Sequence, residues 1–157
     1  MPRTFPSRYS SCMVTRPATL PVVAITLLVL SLVTGCSAPV SVANDTSKGS
    51  PPGFDGSGGL LNGEPTAIWI SGRREFAIVT FGSSSCPPVP TSISAIDEHH
   101  LAITFVKSPN SPCTADMAAT THKFNVPKGV DADGAVAIAV TYDFDTEYDY
   151  ELVLPPP

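Results

Sequence analysis

The fold is decided by Thr66-Ala67-Ile68-Trp69-Ile70, Ser71-Gly72-Arg73-Arg74 and Glu75-Phe76-Ala77-Ile78-Val79-Thr80-Phe81, read as strand, turn and strand. Short apolar runs broken by turn residues are the pattern of β structure. In the second run Phe76, Ile78 and Thr80 fall on one face, with Ala77, Val79 and Phe81 on the other. Both faces are largely apolar, which predicts a central strand.

The same rhythm continues toward the C-terminus. A loop over 82–90 precedes Thr91–Ile96, which alternates with Ile93 and Ala95 inward, and a polar turn at Asp97-Glu98-His99-His100 leads into Leu101–Val106. Thr121–Val126 stops at Pro127, Val136–Tyr142 follows, and Tyr148–Leu154 closes the chain after a hairpin turn at 143–147. Ala115-Asp116-Met117-Ala118-Ala119 could form one helical turn, too short to cover a sheet. Seven short strands from Pro65 onward predict an all-β, Ig-like β-sandwich over 65–157 rather than a closed barrel.

Upstream the composition is different. Residues 37–64 are rich in Ser, Gly, Pro, Asn and Asp without periodicity, and read as a flexible, disordered linker following Cys36. As a Gly/Ser-like chain this segment reaches roughly 30 Å. The glycines over 53–59 have no preceding strand and no following lysine, so they are not a nucleotide loop. Before Cys36 the only charges are Arg3, Arg8 and Arg16, and Val22–Val33 is an apolar run of twelve. Twelve helical residues span about 18 Å, short for a roughly 30 Å bilayer core but suited to the apolar core of a signal peptide. An uncleaved helix extended back to Ala18 is the alternative.

Val33-Thr34-Gly35-Cys36 resembles the lipobox of bacterial lipoproteins. The resemblance implies a signal peptide over 1–35, recognition of Val33, Thr34 and Gly35 by the peptidase, and a diacylglyceryl group on the Cys36 thiol. Two acyl chains, at about 0.8 kcal/mol per buried CH₂, would hold the chain to a lipid bilayer at the extracytoplasmic face. Phe81-Gly82-Ser83-Ser84-Ser85-Cys86-Pro87, Cys113-Thr114-Ala115-Asp116-Met117 and Phe124-Asn125-Val126-Pro127 resemble a pattern in small exported lipoproteins of high-GC Gram-positive, actinobacterial type. That likeness implies fold and location, and carries no catalytic residue.

Charge limits the partners. Beyond Cys36 the chain has six basic and fourteen acidic residues, net −8. This argues against nucleic acid and against electrostatic attachment to anionic lipid. With Cys12 in the signal and Cys36 lipidated, Cys86 and Cys113 remain to form a disulfide, which persists in exported chains. A metal site using the two cysteines and a histidine is the competing reading, although neither spacing matches a paired zinc motif.

No catalytic constellation emerges. Ser83-Ser84-Ser85 lacks the nucleophile elbow, and reads as a loop whose hydroxyls satisfy turn amides. His99 and His100 would point to opposite faces of a strand, while His122 could meet a carboxylate only through the fold. Cys113, Asp116 and a histidine could mimic a protease set, but an oxidised cysteine lacks the thiolate such chemistry needs. Asp143, Asp145 and Glu147 open an acidic stretch running to Glu151, a weak candidate for Ca²⁺, with a solvated hairpin tip as the alternative. Trp69 is core filler or, as in carbohydrate-binding sandwiches, a stacking platform. The sequence therefore points to a cofactor-free, non-enzymatic binding module on a lipid anchor, meeting an envelope or surface protein or a glycan. The rivals are a small envelope hydrolase assembled only in the fold, and a structural lipoprotein that oligomerises.

Overall fold

A computed structural model describes residues 37–52, 54, 63–144 and 149–156. These form eight strands: β1 (Asp45–Lys48), β2 (Thr66–Ser71), β3 (Glu75–Gly82), β4 (Val89–Ala95), β5 (His100–Val106), β6 (Ala118–Asn125), β7 (Val136–Tyr142) and β8 (Asp149–Leu154). They make two four-stranded sheets, ordered β1-β6-β3-β2 and β4-β5-β7-β8. The expected all-β sandwich is the architecture found. The first sheet is antiparallel throughout, whereas β5 and β7 pair in parallel at the centre of the second.

The hairpin of β2 and β3 forms as its residues dictate. Arg74 N–H donates to Ser71 O at 2.9 Å, and Gly72 and Arg73 both take positive φ (45° and 62°). A two-residue turn left-handed at both central positions matches the twist of the strands it joins. β3 lies between β6 and β2, and Phe76 through Thr80 are all buried, as its two apolar faces require. Between the sheets Phe76, Ile78 and Phe124 meet Leu101, Ile103, Phe105, Ile138 and Val140. Phe76 stacks on Phe124 with centroids 5.4 Å apart, and Trp69 meets Phe76 edge to face at 6.4 Å.

Two local expectations are corrected. Residues 45–48, read as part of a disordered linker, form edge strand β1 and pair with Lys123–Thr120 of β6. All four side chains are exposed, so backbone bonds and an ion pair between Lys123 Nζ and Asp45 Oδ2 (2.8 Å) hold the strand. Attachment starts earlier still, with Val42 N–H donating to Pro90 O and Asn44 N–H to Lys123 O. The helical turn expected over 115–119 is absent, because Ala118 and Ala119 already pair with Gly82 and Phe81. Cross-strand pairing outweighs the local helix preference of alanine.

Chain crossings between the sheets gather at two ends. The β3–β4 and β5–β6 connections share one end, and the β6–β7 connection lies at the other. A disulfide between Cys86 and Cys113 ties the first two together, with Cα atoms 5.4 Å apart. At the opposite end Arg73 pairs with Asp133, and Asp131 N–H donates to Glu98 O at 2.7 Å.

Candidate functional site

The end braced by the disulfide carries a cleft of about 480 Å³. It is assembled from the ends of strands distant in sequence: Phe81 from β3, Lys107 after β5, Tyr142 at the end of β7 with Phe144 in the turn after it, and Tyr150 in β8. The disulfide and Pro88 complete its wall, with Ser83 and Ser108 supplying hydroxyls. Tyr142 anchors the aromatic side. It stacks on Phe105 at 5.5 Å and meets Phe144 (5.4 Å, 72°) and Tyr150 (6.1 Å, 84°) edge to face. Burial, aided by Tyr150, pushes the Tyr142 hydroxyl well above its ordinary range, so it stays protonated.

A hydroxyl network fixes the rim. Ser83 Oγ lies 2.9 Å from Thr114 Oγ1, Thr114 N–H donates to Ser85 Oγ at 2.9 Å, and Asn110 Nδ2 donates to Ser85 O at 2.9 Å. Asp116 accepts from Ser84 N–H at 3.0 Å and from the Thr114 hydroxyl. Hydrogen bonds from Ser84 and Thr114 hold its carboxyl down at about 2. The Ser83, Ser84 and Ser85 hydroxyls bond mainly across to Thr114 of the facing loop, whereas the amides of their own turn go elsewhere, Ser84 N–H to Asp116 and Cys86 N–H to Ser83 O. Asp116 bonds to Ser84 and Thr114, and the Cys113 sulfur is bonded to Cys86 and offers no thiolate.

The histidines are scattered. His122 is buried between the sheets with Nε2 3.1 Å from Thr80 Oγ1, Nδ1 3.5 Å from Thr46 Oγ1, and its ring edge-on to Phe105 at 5.1 Å. Its ring partners are the hydroxyls of Thr80 and Thr46. Burial presses its imidazole down to about 4. His100 faces Asp97, with Nδ1 2.8 and 2.9 Å from the two carboxylate oxygens, both groups half exposed. A smaller depression of about 310 Å³ beside His100 is bordered by Ile96, Ala137, Asp149 and Glu151. His99 turns elsewhere: its Nε2 is 3.7 Å from Glu98, and its ring lies beside Gly134.

The remaining candidates are placed as follows. Trp69 is half-buried against the core, its indole N–H donates to Pro155 O at 2.9 Å, and it does not line the cleft. Asp143 is an exposed turn residue whose N–H donates to Phe105 O at 2.9 Å, while Asp145 and Glu147 lie outside the described residues. The same holds for Val33, Thr34, Gly35 and Cys36. Among the described residues no group of three or more His, Cys, Asp or Glu could hold a metal ion.

Sequence reading missed the cleft, since its aromatic residues and Lys107 are spread over some seventy positions. One signal was present. Tyr142, Phe144, Tyr148 and Tyr150 alternate with acids, and an alternating strand turns its rings to one face. Neither a protein-family model, nor a curated protein, nor a solved structure matches this chain.

Proposed function

We propose that this chain is an exported lipoprotein, held to the extracytoplasmic face of the cell membrane by a diacylglyceryl group on Cys36, whose β-sandwich binds a partner at the disulfide-braced cleft. The observation that carries the reading is the coincidence of brace and cleft. The one disulfide among the described residues locks the two crossing loops that form the cleft wall. A disulfide belongs to an oxidising compartment, in accord with the lipobox-like Val33-Thr34-Gly35-Cys36. Rigid loops around a concave, largely aromatic wall lower the ordering cost of binding.

The described chain modifies the geometry of the tether. Because Val42 and Asn44 are already bonded to the sandwich, residues 37–41 alone separate Cys36 from the first backbone bond to the body. Five residues extend at most about 18 Å. The domain then rides close to the headgroups instead of about 30 Å above them. A net charge of −8 beyond Cys36 gives it no attraction to an anionic surface, so the acyl chains supply the attachment.

The test is partition of the full chain between detergent and aqueous phases after expression in a bacterial host, beside its Cys36→Ser variant. The full chain is expected in the detergent phase with acyl mass on the peptide bearing Cys36, and the variant is expected without that mass. A detergent-phase full chain whose Cys36 carries no acyl mass overturns the lipid anchor.

A further inference from the structure

We propose that the cleft binds a small organic anion carrying a ring, with the ring against Phe144 and the acid group at Lys107. This rests on the reading of the domain as a binding module, and adds the chemical class of what is bound.

Size comes first. A volume of about 480 Å³ falls within the roughly 300–1,000 Å³ of small-molecule sites. Ring chemistry comes next. Phe81, Tyr142, Phe144 and Tyr150 all line it, and Tyr142 meets both Phe144 and Tyr150 at steep angles. An edge-to-face pair covers at most one face of one of its rings, and Phe144, which lines the cleft, is 50% exposed. An incoming ring can therefore stack there as aromatic pairs prefer.

Charge selects within that class. The chain has fourteen acidic residues, yet no Asp or Glu lines the cleft among the described residues, whereas Lys107 does. Lys107 makes no ion pair among the described residues, unlike Arg73 with Asp133 and Lys123 with Asp45. An ammonium beside aromatic walls, with the hydroxyls of Ser83 and Ser108 nearby, complements one carboxylate or similar group. A single cation does not serve a polyanion, for which several phosphate contacts are needed.

The experiment titrates the full chain, in non-ionic detergent, with 2-naphthoate and with neutral 2-naphthamide by isothermal calorimetry. Lys107→Gln and Phe144→Ala, both substitutions of exposed side chains, are run in the same detergent so that partition into micelles cancels. Naphthoate is expected to bind at least about fivefold tighter than naphthamide, the preference of a charge-assisted contact in a partly screened site. Lys107→Gln should bring the two probes together, and Phe144→Ala should weaken both. Equal binding of the two probes that Phe144→Ala still weakens overturns the anion assignment and leaves the cleft as a binding site. Loss at Lys107→Gln with no change at Phe144→Ala overturns the ring assignment. Absence of binding by either probe, or binding that neither variant alters, overturns the cleft as the recognition site.

Discussion

Lowering the pH from 7.5 to 5 should destabilise the sandwich through one residue, His122. The imidazole is sealed between the sheets by Thr46, Thr80 and Phe105, and burial presses its pKa from an ordinary 6.5 down to about 4. At pH 7.5 the ring is neutral in the folded and the unfolded chain, so it contributes no pH dependence. As the pH falls through 6.5 the unfolded chain takes up the proton and the fold does not, and stability is lost until the fold itself protonates near 4. Linkage between those two values gives a loss of about 2 kcal/mol at pH 5 and roughly 3 kcal/mol over the whole interval. For a urea m-value of about 2 kcal/mol/M, the midpoint should drop by about 1 M between pH 7.5 and 5. Asp45, Asp97 and Asp116 have their carboxyls held below the ordinary value, by Lys123, by the His99 amide and His100, and by Ser84 and Thr114 respectively. Their contributions are present above that value and fade only at still lower pH, outside the window. Urea titrations of wild type and His122→Gln at both pH values decide the matter. The variant starts less stable, since Thr80 loses its ring partner, but should lack the additional 1 M drop. A drop of the same size in the variant refutes the assignment.

Three further outcomes follow from other contacts. Replacing Cys86 and Cys113 together by serine opens a loop with a sequence separation of 27; chain entropy puts the cost at about 3–4 kcal/mol, and a melt by circular dichroism should fall by roughly 10–20 °C with the β signature kept. Trp69→Phe keeps the edge-to-face ring against Phe76 but removes the N–H bond to Pro155 O; urea unfolding should show a loss of about 1 kcal/mol, and an unchanged midpoint would mean the bond contributes nothing. At alkaline pH the buried Tyr142 stays neutral while the unfolded chain ionises, so stability should decline above pH about 10; Tyr142→Phe should flatten that decline.

What the sequence disclosed was set by how each feature is encoded. β3 was legible because Phe76-Ala77-Ile78-Val79 must bury both faces, and β7 and β8 because Val136, Ile138 and Val140 alternate and Tyr150, Leu152 and Leu154 do the same. The disulfide followed from reading Cys12 into a leader and Cys36 as lipidated, which left Cys86 and Cys113. β1 was invisible for the opposite reason: Asp45-Thr46-Ser47-Lys48 buries nothing, and an edge strand held by its backbone leaves no hydrophobic pattern. The parallel pairing of β5 with β7 depends on two crossings through the other sheet, which local periodicity cannot register. His122 looked like one polar residue among Thr120, Thr121 and Lys123. Only the stacking of β6 over β5 places it against Phe105.

The distribution of restraints explains why the cleft and the buried histidine make separate demands on this small domain. At the end with one crossing, Arg73–Asp133 and the Asp131–Glu98 backbone bond suffice, and both are exposed to exchange with water. At the cleft end two crossings leave the strands and diverge, so their loops would sample many arrangements without a covalent tie. Cys86–Cys113 removes that freedom where the aromatic wall needs fixed geometry, and the Ser83–Ser85–Thr114–Asp116 bonds tighten the same loops. The interior is differently placed. Thr80, Thr120 and His122 put a small polar group inside a mostly apolar interface, where a shift of register by one residue would exchange His122 for Thr121 or Lys123. A lysine there would carry an unpaired charge into the core, so the Thr80–His122 contact penalises misregistered pairing of β6 more strongly than an all-apolar face would. Stability at the cleft end is thus lost by reduction and in the core by acid, two perturbations that act on different residues and can be applied independently.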